Sequence, residues 1–326
     1  MKLATFQAAD GAPSIGCVDA DGQTVLDLQA AHRRLFGAAN PLLASMLDVI
    51  DGGDAALDLV RRIVDRSGGD GAARRPLGVV RLLAPVPEPR QIRDFSCFER
   101  HMRDAPKGMA RLKARLAGLP QPDAAQLDRP MAEVYRQQPI YYLSNRFNVV
   151  GHDADVHWPS YSNYLDYELE IGIFIGRAGK NIPRERAKAH IFGYAIFNDF
   201  SARDRQAREM EGWMGPAKGK SFDTGNAIGP WIVTPDEIPD VQALPVEVKV
   251  NGETWGKSTT ANMMHDFEAM IAFVSQDETL HPGEFFGSGT VGGCCGLEID
   301  RWLKDRDVVE LHVGGLGILR NRVVRG

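Results

Sequence analysis

Two glutamates lie two residues apart inside an apolar run, LDYELEIGIFIG at 165–176. On a β-strand, positions i and i+2 project to one face, so Glu168 and Glu170 would stand side by side. Paired buried carboxylates repel and lose hydration unless a cation lies between them. Hard oxygen ligands of this kind suit Mg2+, Mn2+ or Ca2+. The alternative is a solvent-facing strand on which Asp166, Glu168 and Glu170 all meet water. A second run, YAIFNDFSARDRQ at 194–206, ends an apolar strand at Asn198-Asp199 and opens a helix near Ser201. Serine is a good N-cap residue. Asp199 would be a third carboxylate. Arg203 and Gln206 are three apart and share a helix face, which makes a corner able to hold a carboxylate. The alternative there is a local ion pair between Asp199 and Arg203.

A third stretch, RDFSCFERHMRD at 93–104, offers Asp94 as an oxygen ligand and His101 as a general acid or base near neutral pH. A lone histidine is more often structural. Asp104, three residues on, can support its imidazole. Lys220 lies in the glycine-rich MGPAKGKSFDT, which does not match a P-loop, and a solvated lysine is the plain reading. The run GSGTVGGCCGLE, 287–298, packs glycines around Thr290, Cys294 and Cys295. It sets Glu298 between apolar residues, where a buried carboxylate needs a partner. His152 and His157 lack helical i,i+4 spacing and read as structural. Gly314-Gly315-Leu316-Gly317 reads as a hairpin turn, since no G-x-G-x-x-G opens a helix there.

The elements that must hold these residues are mostly strands. KLATFQA, SIGCVDA and TVLDL predict short N-terminal strands, followed by helices over 29–36, 40–50 and 54–66. SGGDGAARRPLG and PVPEPRQ mark a linker, so a small N-terminal α+β domain is expected over 1–85 and a catalytic domain over 86–326. The polar, proline-broken stretch 103–138 is a surface excursion or a lid over a site. From 139 onward strand follows strand, with an Asn251-Gly252 hairpin and helices at 184–190, 201–210 and 262–275. The chain has 326 residues with 38 Lys+Arg against 43 Asp+Glu, a net charge of −5 and no dense basic cluster. That gives no footprint for nucleic acid. No apolar run approaches the ~18 residues of a membrane helix, and no signal peptide opens the chain. Four cysteines without a C-x-x-C pair point to a reducing, cytoplasmic setting. The 34 glycines are about a tenth of the chain against a usual ~7%, which favours tight turns between strands.

Taken in order, DFSCFERH, DYELEIGIFIG, HIFGYAIFNDFSARDRQ, GPAKGKSFDT and GSGTVGGCCGLE resemble the fumarylacetoacetate hydrolase family over roughly residues 85–322. The resemblance implies a mainly β (α+β) fold, a mixed β-sandwich roll with a divalent metal in its mouth, and a homodimer. It assigns the metal carboxylates to Asp94, Glu168, Glu170 and Asp199. His101 becomes the histidine that activates water and Glu298 the residue that orients it, with Asp104 as a competing partner. Arg203, Gln206, Lys220 and Thr290 fall on substrate-binding and charge-stabilising positions. The reaction so implied is Mg2+-dependent (or Mn2+/Ca2+-dependent) hydrolysis of a C–C bond in a 2,4-dioxo acid, with pyruvate enolate as leaving group. The substrate is a small anionic oxo acid. Rivals on the same site are oxaloacetate decarboxylation or oxo-acid tautomerisation, and chemistry on 2-keto-3-deoxy sugar acids. A metal-dependent binding protein without turnover is a rival of another class.

Overall fold

The computed structural model describes residues 1–9, 11–69, 71–128 and 130–326, the side chain of Ala124 apart. Arg129, inside the 103–138 excursion, lies outside the described residues. Two large sheets face each other, the mixed roll with α-helical additions expected from the sequence. In the larger sheet the order is Arg74–Pro76, Thr24–Asp27, Ser14–Val18, Lys2–Ala8, Asn226–Val233, Ile191–Asp199, Leu169–Ile175, Phe285–Gly287, Ile92–Phe95 and Tyr141–Ser144. The smaller sheet runs Glu253–Thr259, Pro245–Val250, Val308–Val313, Gly317–Arg325 and Asp155–Trp158.

The central strands are apolar on both faces because both faces are covered. On one side, Ile171, Ile173 and Ile196 meet Val248, Leu311 and Leu319 of the smaller sheet. On the other, Ile92, Phe174, Phe197 and Phe285 pack with Val49, Val60 and Ile63 of the helix Met46–Ser67. That helix bends at Gly53, whose φ of 52° is outside the helical range, so the two helices expected there are one kinked element. Across residue 85 one apolar core is continuous, with Leu3, Val49 and Val60 joined to Ile92, Phe174 and Phe285, and the larger sheet runs through as well: Lys2 and Leu3 pair directly with Val233 and Ile232.

The expected hairpins form. Asn251 and Gly252 take φ of 52° and 80° between paired strands, the left-handed pair a two-residue turn requires. Gly314–Leu316 joins Val308–Val313 to Gly317–Arg325. The excursion is more helical than its prolines suggested. Helix Glu99–Leu116 runs through Pro106, and short helices follow at Ala124–Leu127 and Val134–Gln137. All four cysteines are free and buried. Among the described residues no helix is long and apolar enough to cross a membrane.

Candidate active site

Alternation along four adjacent strands builds the acid cluster. Ile92, Phe197 and Phe285 share one core, so Asp94, Asp199 and Gly287, each two residues further along, project to the same side. Glu170 does so four residues before Phe174. The registers Gly287↔Asp94, Gly172↔Gly287 and Glu170↔Phe197 bring them together at one end of the sheet. Carboxylate oxygens of Asp94, Glu170 and Asp199 all lie within 4.8 Å of one another. Gly287 makes the room: a Cβ there would lie 2.7 Å from Asp94 Oδ1 and 3.0 Å from Glu170 Oε2.

The three acids are buried, and Asp94 Oδ1 and Asp199 Oδ1 have no hydrogen-bond partner among the described residues. Burial raises all three carboxyls; Asp94 pushes Glu170 further up, and Lys220 offsets only part of the rise at Asp199. Unpartnered buried oxygens in a crowded acid cluster fit a hard divalent cation, whose charge would replace the missing donors. These groups hold protons above the usual carboxylate range, so loading a metal must expel protons. Mn2+ affinity is therefore expected to rise with pH, with net proton release seen by calorimetry in buffers of different ionisation enthalpy. Affinity independent of pH, with no proton released, would contradict this. The same sign holds for stability. Raised carboxyls stabilise the metal-free fold at low pH, and that contribution is lost as pH rises through their folded values.

Glu168 is held differently. It lies just before the strand Leu169–Ile175, bridged to Cys295. Arg203 Nη2 donates to Glu168 Oε1 at 2.6 Å, and Lys220 Nζ donates to Glu168 Oε2 and to Asp199 Oδ2. Burial alone would raise Glu168, but Arg203 and Lys220 outweigh it and hold the carboxyl far below its usual range. The alternative of a local Asp199–Arg203 ion pair is not what forms. Arg203 Nε donates to Asp166 Oδ2 at 2.8 Å, and Nη1 to Gln206 Oε1 at 2.9 Å. Asp166 does not meet water: it is fully buried and also accepts from the backbone N–H groups of Gly296 and Leu297. Lys220 is 3% exposed, so the plain reading of a solvated loop lysine does not hold, and the charge-stabilising place that the resemblance implies is the one left to it.

His101 sits in the first turn of the helix Glu99–Leu116. Its Nδ1 is 3.2 Å from Glu298 Oε1, and its Nε2 is 3.8 Å from Glu168 Oε1. Glu298 lies on the short helix Gly296–Ile299, and Gly293 N–H donates to its Oε2 at 2.7 Å. Close helix approach makes this dyad. A Cβ at Gly108 would fall 2.1 Å from Leu297 O, so only glycine lets the His101 helix rest on the Glu298 turn. Asp104 is not brought to the imidazole. Its carboxylate takes Lys107 at 3.1 Å and Arg100 at 3.7 Å, and the place beside His101 belongs to Glu298. A proton on Nδ1 donated to Glu298 leaves Nε2 free to accept one.

A cavity of about 440 Å3 opens over these groups, with Asp94, His101, Glu168, Glu170, Arg203, Gln206, Lys220 and Thr290 all in its wall. Two wall or cluster residues escaped the sequence reading. Tyr142 donates its hydroxyl to Asp199 Oδ2 at 2.6 Å, and its register opposite Asp94 is set by a strand pairing far along the chain. Cys295 Sγ lies 3.9 Å from His101 Nδ1; its neighbouring glycines were the only local signal.

A facing-sheet α+β roll with buried acids and a histidine–carboxylate pair lining a cavity has the make-up of an enzyme site. The chain belongs to the fumarylacetoacetate hydrolase family: the family model described as "Fumarylacetoacetate (FAA) hydrolase C-terminal" matches residues 92–324. An "Oxaloacetate tautomerase fahd2, mitochondrial" from Xenopus laevis is 31% identical over 331 residues, covering 99% of this chain and 90% of the relative. The fumarylacetoacetate hydrolase of the psychrophile Exiguobacterium antarcticum has 26% identity, full coverage of both chains and a TM-score of 0.73. The fold is also that of a maleylpyruvate hydrolase from Sphingobium sp. SYK-6, solved with manganese(II) and pyruvate, at 24% identity, full coverage of both chains and a TM-score of 0.71.

Proposed function

We propose that this protein hydrolyses a C–C bond in a 2,4-dioxo acid, with a divalent metal at Asp94, Glu170 and Asp199 and with Glu168 at its side. The observation that carries the reading is the His101–Glu298 pair at 3.2 Å beside the acid cluster. A bound cation supplies Lewis-acid stabilisation of negative charge on the oxo-acid oxygens. Mg2+ is the metal first proposed, with Mn2+ or Ca2+ as alternatives.

His101 Nε2 takes a proton from water, with Glu298 holding the ring and stabilising its positive charge. Hydroxide attacks the distal carbonyl, and the bond between that carbon and C3 breaks. The acyl half leaves as a carboxylic acid. The imidazolium then returns its proton to C3 of the pyruvate enolate. Arg203, Gln206 and Lys220 hold charge and donors at the anionic end, and Thr290 lines the same wall. A homodimer is part of this proposal: Trp213 and Met214, both 94% exposed, offer apolar surface to a second copy. So is a reducing, cytoplasmic setting, which free buried cysteines support.

A second reading, tautomerisation of oxaloacetate, is favoured by the Xenopus relative that covers almost the whole chain. It needs one base to move a proton at C3 and no attacking water, and His101 can serve. The two separate on a panel of acylpyruvates and oxaloacetate with Mg2+, with and without chelator. Hydrolysis predicts chelator-sensitive loss of acylpyruvate absorbance with pyruvate and acid formed one to one. Inert acylpyruvates alongside rapid oxaloacetate interconversion would reverse the order.

A further inference from the structure

The cavity has two unlike ends. Charged groups gather at one: the acid cluster, His101, Arg203 and Lys220. From His101 the wall follows a single helix face through Met102, Ala105, Pro106 and Met109, at spacings of one, four, five and eight residues. Eight residues advance about 12 Å along a helix, so this face leads away from the chemistry by more than two turns. Tyr135 and Met210 line the same cavity. Among the described lining residues the only lysine and arginine are Lys220 and Arg203, and both are anchored at the charged end by Glu168, Asp166 and Asp199. The other cations of the same helix lie outside this wall: Lys107 pairs with Asp104, Lys113 with Glu211 and Arg115 with Asp300, Arg111 Nη2 donates to Glu298 O, and Arg100 and Arg103 line a separate cleft with Met263 and Met264.

Resting on the reading of the charged end as a 2-oxo-acid site, we infer that Met102, Ala105, Pro106, Met109, Tyr135 and Met210 form an acyl-tail site. The substrate it takes is an oxo acid with an uncharged hydrocarbon tail, aliphatic or aromatic, and not one with a second carboxylate. A carboxylate carried to this end would be desolvated with no cation to meet it. A hydrocarbon tail gains about fourfold in affinity for each methylene removed from water. The two methionines can adjust to tails of different shape.

The test is calorimetric binding of simple 2-oxo acids to the Mn2+-loaded protein. Pyruvate, 2-oxobutanoate, 2-oxohexanoate and 2-oxooctanoate should bind progressively tighter, by about fourfold per methylene. 2-Oxoadipate, equal in carbon number to 2-oxohexanoate, should bind at least tenfold weaker than it. Met109→Lys, at a partly exposed position that tolerates a long side chain, should reverse that ratio in favour of 2-oxoadipate. A flat length series, or 2-oxoadipate binding as tightly as 2-oxohexanoate in the unaltered protein, would overturn the tail site. None of these acids carries the bond to be hydrolysed. A rising series with inert acylpyruvates therefore sinks the hydrolytic reading alone, and failure of every acid, pyruvate included, sinks both.

Discussion

His101→Ala is expected to lower kcat at least 10²-fold on the best acylpyruvate while leaving Mn2+ affinity within about twofold of the unaltered protein. The separation follows from where the ring sits. Its Nδ1 is engaged by Glu298, and its Nε2 faces Glu168, the carboxylate already held by Arg203 and Lys220. The cluster of Asp94, Glu170 and Asp199 is built by the sheet and does not depend on the helix that carries His101. Glu298→Gln should act in the same direction but less severely. The amide's single oxygen can still accept from His101, but its NH2 then faces the Gly293 N–H from which Glu298 Oε2 accepts, and it cannot stabilise a positive ring. Steady-state kinetics paired with Mn2+ titration decide the matter. Full turnover in His101→Ala would remove the histidine from the reaction, and a matching loss of metal affinity would make it a ligand instead of a base.

Glu170→Gln should weaken Mn2+ binding by about 10²-fold or more without lowering the stability of the metal-free protein. Most substitutions of a fully buried residue destabilise, so the expected sign is unusual. Glu170 is crowded by Asp94, Asp199 and Glu168, and its burial among them pushes its carboxyl well up. Glutamine keeps an oxygen to accept from Gly289 N–H, as Glu170 Oε2 does at 2.9 Å. It also brings an N–H toward an unpartnered oxygen of Asp94. Denaturant unfolding in chelator, alongside Mn2+ calorimetry, reads both halves. A fall in stability beyond about 1 kcal/mol with metal affinity intact would show that the acid cluster is structural.

Much of this site was visible before the fold because its acids interrupt apolar runs. Glu170 and Asp199 sit in or at the ends of strands that are otherwise Ile, Phe and Tyr, and such residues need a reason to be there. Asp94 and His101 had no such contrast around them and became meaningful only through the shared pattern of five motifs. Asp166, Tyr142, Gly287 and Gly108 were not legible as site residues. Asp166 looked like one more acid on a wet strand, and its burial depends on Arg203 and on the turn at Gly296 arriving from distant parts of the chain. Gly287 and Gly108 matter for what their missing Cβ atoms would strike, which depends on tertiary approach and not on local sequence. The N-terminal segment shows the same limit. Its strands were evident from alternation, but the pairing of Lys2 and Leu3 with Val233 and Ile232 is a long-range match that composition cannot announce.

That pairing ties the first residues of the chain to the chemistry at one remove. The strand Lys2–Ala8 borders Asn226–Val233, which borders the strand ending in Asp199. A chain beginning at residue 86 would strip the helices from Phe174, Phe197, Ile228 and Ile232 and leave Asn226–Val233 as a raw margin, open to pairing with other chains. The first 85 residues are in this sense a built-in chaperone for the catalytic sheet. They border the strand next to the one that ends in Asp199 and cover the second face of the sheet with apolar side chains.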